Sequence, residues 1–159
     1  MERRLVFIPI AAEELAAITG DVQLVNREAY TVTPELLSAQ ELRTDQVEEA
    51  EFAALVLASV TSLSRFGQRL VLVAEVPPAD VVPGPDAANG GCTVASVSQN
   101  SLTCWFSDAP GLDVTAAAAS ARGLDLDTAW ERPQVQELIQ HDLLWNDVQE
   151  FKRQRTRRS

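Results

Sequence analysis

The chain has 159 residues, 46% of them hydrophobic, with 23 acidic against 13 basic side chains and a net charge of −10. That length and composition fit one globular domain with a core large enough to fold without staples, and they exclude a chain that is mostly disordered. All 23 acidic residues and eight of the basic ones fall within residues 1–151, a net of −15, whereas residues 152–159 carry +5; so acidic a body repels a phosphate backbone and argues against nucleic acid as its partner.

Arg3 and Arg4 precede an apolar run that imitates a signal peptide, but Pro9 sits inside that run and Glu13 and Glu14 end it. A membrane-spanning helix needs about 20 apolar residues, so neither a membrane nor an export segment is predicted and the expected location is the cytoplasm. Residues 4–10 are β-branched and aromatic without polar alternation, as expected of a strand buried on both faces. A short helix is expected over 11–18, and a second strand over 28–32. Thr33 is placed to cap a helix that begins at Pro34, whose missing N–H costs nothing there.

The longest helical pattern runs from Thr44 or Asp45 to about Arg65, with Val47, Ala50, Ala54, Leu55 and Ala58 at three and four spacing and Gly67 as the stop. Residues 69–76 form a further buried-strand pattern ended by Pro77 and Pro78. Turn residues dominate 80–91, which reads as a loop. Residues 92–97 and 102–107 look extended, joined by a hairpin or by a short helical turn. Residues 114–122 are an alanine-rich helix stopped by Gly123. Cys92 and Cys104 show neither metal-ligand spacing nor a disulfide framework and are expected to be buried free thiols.

The last segment combines two apolar faces. Val135, Leu138 and Ile139 share one side of a helix, and Leu144, Val148 and Phe151 the nearly opposite side, so the helix is covered on both sides or it breaks near His141. His141 is the only histidine. With Glu137, Asp142 or Asp108 as orienting carboxylate it is a candidate general base, against the simpler reading of a packed, silent side chain. Trp105 and Trp145 are candidates for an aromatic binding groove, although aromatics more often fill cores. No nucleotide, hydrolase or metal motif occurs, so no cofactor and no metal site is indicated. Glu13, Glu14, Glu48, Glu49 and Glu51 read as solvated helix faces.

The pieces RLVFIPI at Arg4, AYTVTPEL at Ala29, EEAEFAAL at Glu48, RLVLVAEVPPADV at Arg69 and HDLLWNDVQEF at His141 occur in an order that resembles a family of small actinobacterial proteins, a domain of unknown function. The likeness spans nearly the whole chain. Its most specific piece is the His-acid-Leu-Leu-Trp element near the C-terminal end; an aromatic commonly follows that tryptophan in the family, where this chain has Asn146. The resemblance implies a shared fold and a cytoplasmic location and names no substrate.

The expected architecture is a single α+β domain over 1–151, a mixed sheet of about four or five strands packed against helices, with 4–10 and 69–76 at its centre. Residues 152–159 are expected to be a disordered basic tail. The expected function is a non-catalytic binding or regulatory protein, acting with a protein partner or as a homodimer; the alternative is a small hydrolase or transferase using His141.

Overall fold

The two apolar runs become the middle of a sheet because neither has a polar side to turn toward water. In the computed structural model, which describes residues 4–18, 23–84 and 86–147 except the side chains of Ile18 and Ala87, the strands are β1 (Arg4–Pro9), β2 (Leu24–Tyr30), β3 (Leu70–Val76), β4 (Val81–Pro83), β5 (Gly91–Val97), β6 (Leu102–Ser107) and β7 (Leu144–Asp147). They lie in the order β4-β5-β2-β1-β3-β6-β7. Every pairing is antiparallel. The sheet is therefore neither mixed nor limited to four or five strands. Two short edge strands account for the difference: β4 comes from the stretch expected to be a loop, and β7 from the stretch expected to be helix.

The helices are α1 (Ala12–Ile18), α2 (Pro34–Ala39), α3 (Val47–Phe66), α4 (Thr115–Ala121), α5 (Leu126–Trp130) and α6 (Pro133–Leu138). Thr33 caps α2 as expected, its hydroxyl oxygen accepting from the Leu36 amide at 3.0 Å. Gly67 ends α3 in the left-handed conformation, φ 81°, and its amide returns to the Leu63 carbonyl.

One face of the sheet packs under α2 to α6. Phe7, Tyr30, Val71, Val73 and Cys104 meet Leu36, Leu57, Val60, Leu63, Ala117, Val135 and Leu138 there. The other face holds a second core of Val6, Ile8, Leu72, Ala74, Cys92 and Val94 with Leu15 of α1. Alternation along β1 and β3 sends successive side chains to the two cores, so a continuous apolar run is what both strands require.

The segment between β5 and β6 is a short 3-10 turn, Gln99–Ser101, and not a hairpin loop, because β2, β1 and β3 lie between those two strands. Cys92 and Cys104 consequently sit in different cores and are both free thiols. The last segment takes the second option open to it: α6 stops at Leu138, the chain turns at His141, and β7 follows. Leu144 no longer has to share a helix with Val135. Residues 152–159 lie outside the described residues.

Candidate functional site

The sequence candidates lie on or beside β6, β7 and the turn between α6 and β7, where Asp108 and the His141 backbone meet through Arg69. Arg69, just before β3, is 2% exposed. Its Nε donates to Asp108 Oδ1 at 2.7 Å, its backbone amide donates to Asp108 Oδ2 at 3.0 Å, and its Nη1 donates to the His141 carbonyl at 3.1 Å. Asp108 is thus committed to a buried guanidinium, which holds the start of β3, the end of β6 and the turn before β7 together. The part of His141 that is used is its backbone carbonyl. Its imidazole, like Glu137 and Asp142, is exposed, and no carboxylate among the described residues is hydrogen-bonded to the ring.

The two tryptophans also separate. Trp105 is opposite Asn146 and Phe106 is opposite Trp145, so strand alternation sends Trp105 and Trp145 to opposite faces of the sheet. Trp105 packs against the second core, while Trp145 is 60% exposed on the edge strand.

A ligand-sized concavity lies elsewhere, between β2 and β5 on one side and α3 and the start of α5 on the other. Its volume is about 510 Å³, within the range usual for small-molecule sites. Its inner end is made by Tyr30. The Tyr30 hydroxyl is 2.7 Å from Thr61 Oγ1, which itself donates to the Leu57 carbonyl at 3.1 Å, and the phenol also lies 3.5 Å from Glu28 Oε1, so its proton is shared between the Thr61 and Glu28 oxygens. Burial raises the Tyr30 pKa and leaves the hydroxyl protonated at neutral pH.

Two hydrogen bonds fix the helical wall. Ser64 of α3 donates to the Leu124 carbonyl at 2.6 Å, and the Gly123 amide donates back to the Ser64 carbonyl at 3.2 Å. Asp125 then caps α5 through the Thr128 amide at 2.8 Å, and Asp127 follows in the first turn. Across the cleft, Asn26 of β2 adopts φ 51°, a conformation asparagine tolerates better than most residues. Next to it Glu28 pairs with Arg65 at 2.6 Å.

The third wall depends on two glycines. A Cβ on Gly90 would stand 2.3 Å from the Thr31 carbonyl oxygen, and one on Gly91 would stand 2.7 Å from the Asp86 carbonyl oxygen. Only glycine lets the chain close this turn, and the closure sets Asp86 at the mouth. The Asn89 amide donates to Asp86 at 2.9 Å and to Asp127 at 3.1 Å, holding the two carboxylates on one side chain. Burial, together with the charges of Asp127 and Asp125, raises the Asp86 pKa.

The electrostatic sum is one-sided. Glu28 and Arg65 cancel, and among the described residues Asp86, Asp125 and Asp127 have no ion-pair partner. Cys92 belongs to the strand that walls the cleft, but burial pushes its thiol up to about 11, far from a nucleophilic thiolate at neutral pH. Among the described residues no group of three or more His, Cys, Asp or Glu side chains is placed to hold a metal ion. No helix there is long and apolar enough to cross a membrane.

None of the cleft residues is conspicuous in the sequence. Asp86 hides in a stretch rich in turn residues, and Asp125 and Asp127 look like ordinary helix-start acids. The usable signal was the Gly90-Gly91 pair, since adjacent glycines mark close backbone approach as well as turns.

Fold and cleft together define a small antiparallel α+β protein with an acidic, ligand-sized cleft at the junction of sheet and helix layer. The chain belongs to a family of unknown function (DUF6912), whose model matches residues 4–153. No curated protein and no solved structure matches it.

Proposed function

We propose that this is a non-catalytic binding or regulatory protein of the cytoplasm whose ligand is a small organic cation, an amine or guanidine, held in the cleft of Tyr30, Asp86, Asp125 and Asp127. The observation that carries the reading is the combination of a cavity of about 510 Å³ with three carboxylates that no described cation neutralises. Such a site lowers the energy of a cation as it leaves water and repels an anion. Leu124, half-buried on the cleft wall, offers apolar surface beside the charges, suited to the methylene stem of an alkylamine. The phenol and thiol nearest the cleft stay protonated and the only imidazole is outside it, which favours binding over chemistry. The five sequence motifs support an actinobacterial kinship, and the two free cysteines support a reducing compartment.

Spermidine, titrated at low ionic strength while the melting temperature is followed, tests this. The expected result is a rise that follows mass action, weakens with salt, and disappears in the Asp86→Asn, Asp127→Asn double variant. A folded protein whose melting temperature ignores spermidine, or whose response survives the double substitution, overturns the reading.

A further inference from the structure

We propose that Asn89 is a site of spontaneous deamidation, a one-way covalent modification that unlatches the turn 86–91 from α5. The chain has four asparagines, and only Asn89 is followed by glycine. Gly90 has no side chain to shield its backbone nitrogen or to restrict rotation beside it, which is what attack on the preceding side-chain amide requires. The Gly90 nitrogen, losing its proton to solvent, adds to Asn89 Cγ; the Cγ–Nδ2 bond breaks and ammonia leaves, closing a five-membered succinimide ring. Water then opens the ring at either carbonyl, giving aspartate or, through the side chain, an isoaspartyl linkage. Water is the one co-reactant, and this chemistry needs no ligand in the cleft.

The fold holds this reaction back without preventing it. Asn89 ends a 3-10 turn, Ala87–Asn89, and ring closure requires its ψ to leave the 3-10 range. Its Nδ2 donates to Asp86 Oδ1 at 2.9 Å and to Asp127 Oδ1 at 3.1 Å, so the side chain that must swing toward Gly90 is tied to a carboxylate on each side. The tie is local and reaches water, because Asn89 is half-buried and Asp127 is exposed. A turn held in this way opens far more often than the whole domain unfolds. Reaction therefore follows opening, and every hydrogen bond that keeps the turn shut slows it.

Either product breaks the latch. An ionised aspartate at this position has no N–H to donate and brings a third negative charge within hydrogen-bond reach of Asp86 and Asp127, which now share the amide. The isoaspartyl product also adds an atom to the main chain ahead of Gly90. Gly90 has no room to absorb it toward β2: a Cβ there would already stand 2.3 Å from the Thr31 carbonyl oxygen, and the Gly90 carbonyl accepts from the Thr31 amide at 2.9 Å. The modification thus releases α5 from the turn and loosens the junction of β2 with β5. Because ammonia is lost, it does not reverse.

The test incubates the folded full chain at mildly alkaline pH and follows the conversion of each side-chain amide to acid by peptide mass spectrometry. Asn89 should convert ahead of Asn26, Asn100 and Asn146, with both aspartyl and isoaspartyl peptides present. Asp127→Ala, which removes one of the two acceptors, should convert about fivefold faster, the factor by which loss of one hydrogen bond shifts a local opening equilibrium. Asp127→Asn keeps an oxygen acceptor and should convert more slowly than Asp127→Ala, which separates the hydrogen bond from any effect on the start of α5. Conversion led by another asparagine overturns the proposal, as does an Asn89 rate that is the same in the parent and in Asp127→Ala. Asn89→Asp has the sequence of the aspartyl product and should melt roughly 2–4 °C below the parent. An Asn89→Asp protein that melts with the parent overturns the unlatching.

Discussion

The two ends of the sheet treat carboxylates in opposite ways. At the β3-β6-β7 end, Asp108 meets a guanidinium that is 2% exposed and spends its oxygens on Arg69 alone. At the β2-β5 end, Asp86, Asp125 and Asp127 surround an open cleft without a described counter-ion, and burial with mutual repulsion raises the pKa of Asp86. A fully matched carboxylate is a fastener, because its interactions are already made in the folded state. A partly buried carboxylate left without an ion pair, as Asp86 is, costs folding energy and retains capacity for a partner. The contrast supports the proposal that ligands bind at the end of the sheet where the carboxylates lack ion pairs among the described residues.

The strongest attack on this comparison is to break the fastener. Asp108→Ala leaves the Arg69 guanidinium buried without its carboxylate, and Nη2 already has no hydrogen-bond partner among the described residues. Removing one partner of a buried pair typically costs about 3–5 kcal/mol. For a chain of this size the melting temperature should fall by on the order of 10 °C, as differential scanning calorimetry would record. A loss under about 1 kcal/mol would show that the pair is solvated and that the two ends do not differ as described.

Next in size is Tyr30→Phe. It removes the hydrogen bond to Thr61 while Thr61 keeps its bond to Leu57, so about 1 kcal/mol of stability should be lost, the net worth of one buried hydrogen bond. Chemical denaturation measures that loss directly. Unchanged stability would mean that the phenol stands in the cleft as a free donor, which would sharpen the assignment of this end to binding.

How much of this was legible beforehand follows from what each residue depends on. β1, β3, α2 and α3 were readable because their signals are local: unbroken apolar runs, Thr33 before Pro34, and Gly67 after a helical pattern. β4 and β7 were not, because three or four residues become a strand only when a neighbouring edge offers its backbone groups. The conflict of apolar faces around His141 left a break there as one of two options, and it did not show that the following segment would pair with β6. The site was less legible still. Asp86, Asp125 and Asp127 come from two stretches of sequence joined in space by Asn89, and only the tertiary fold shows that none of them has an ion-pair partner among the described residues. Arg69 and Asp108 are 39 positions apart, and nothing near either of them announces the other.

A smaller effect is expected from Asp86→Asn, and its sign distinguishes the two ends. A carboxyl whose pKa is raised in the folded state binds its proton more tightly there than in the unfolded chain, so stability falls as pH rises from the unfolded value of about 3.8 through the raised folded value. Above that window the ionised Asp86 is a net cost. The asparagine variant should therefore be slightly more stable than the parent at neutral pH, and the advantage should fade as the pH is lowered toward 4. Denaturation curves across that interval check it; an Asp86→Asn variant that is less stable at neutral pH would make Asp86 a fastener like Asp108.

The smallest effect belongs to the residue that looks most functional in the sequence. The His141 imidazole is exposed, no carboxylate is bonded to it among the described residues, and the contact that matters for the fold uses the backbone carbonyl, which any residue supplies. His141→Ala should then change stability by no more than about 0.5 kcal/mol, as for a surface substitution, and leave spermidine affinity unchanged. Glu137→Gln and Asp142→Asn should behave alike, because neither carboxylate has a ring to orient. A larger loss of stability in His141→Ala, or a change in spermidine affinity, would show that the imidazole reaches beyond its own turn and would return the enzyme reading, with His141 as its base, to consideration. With no effect in any of the three variants, the only histidine marks the place where α6 gives way to β7, and the search for ligands belongs at the other end of the sheet.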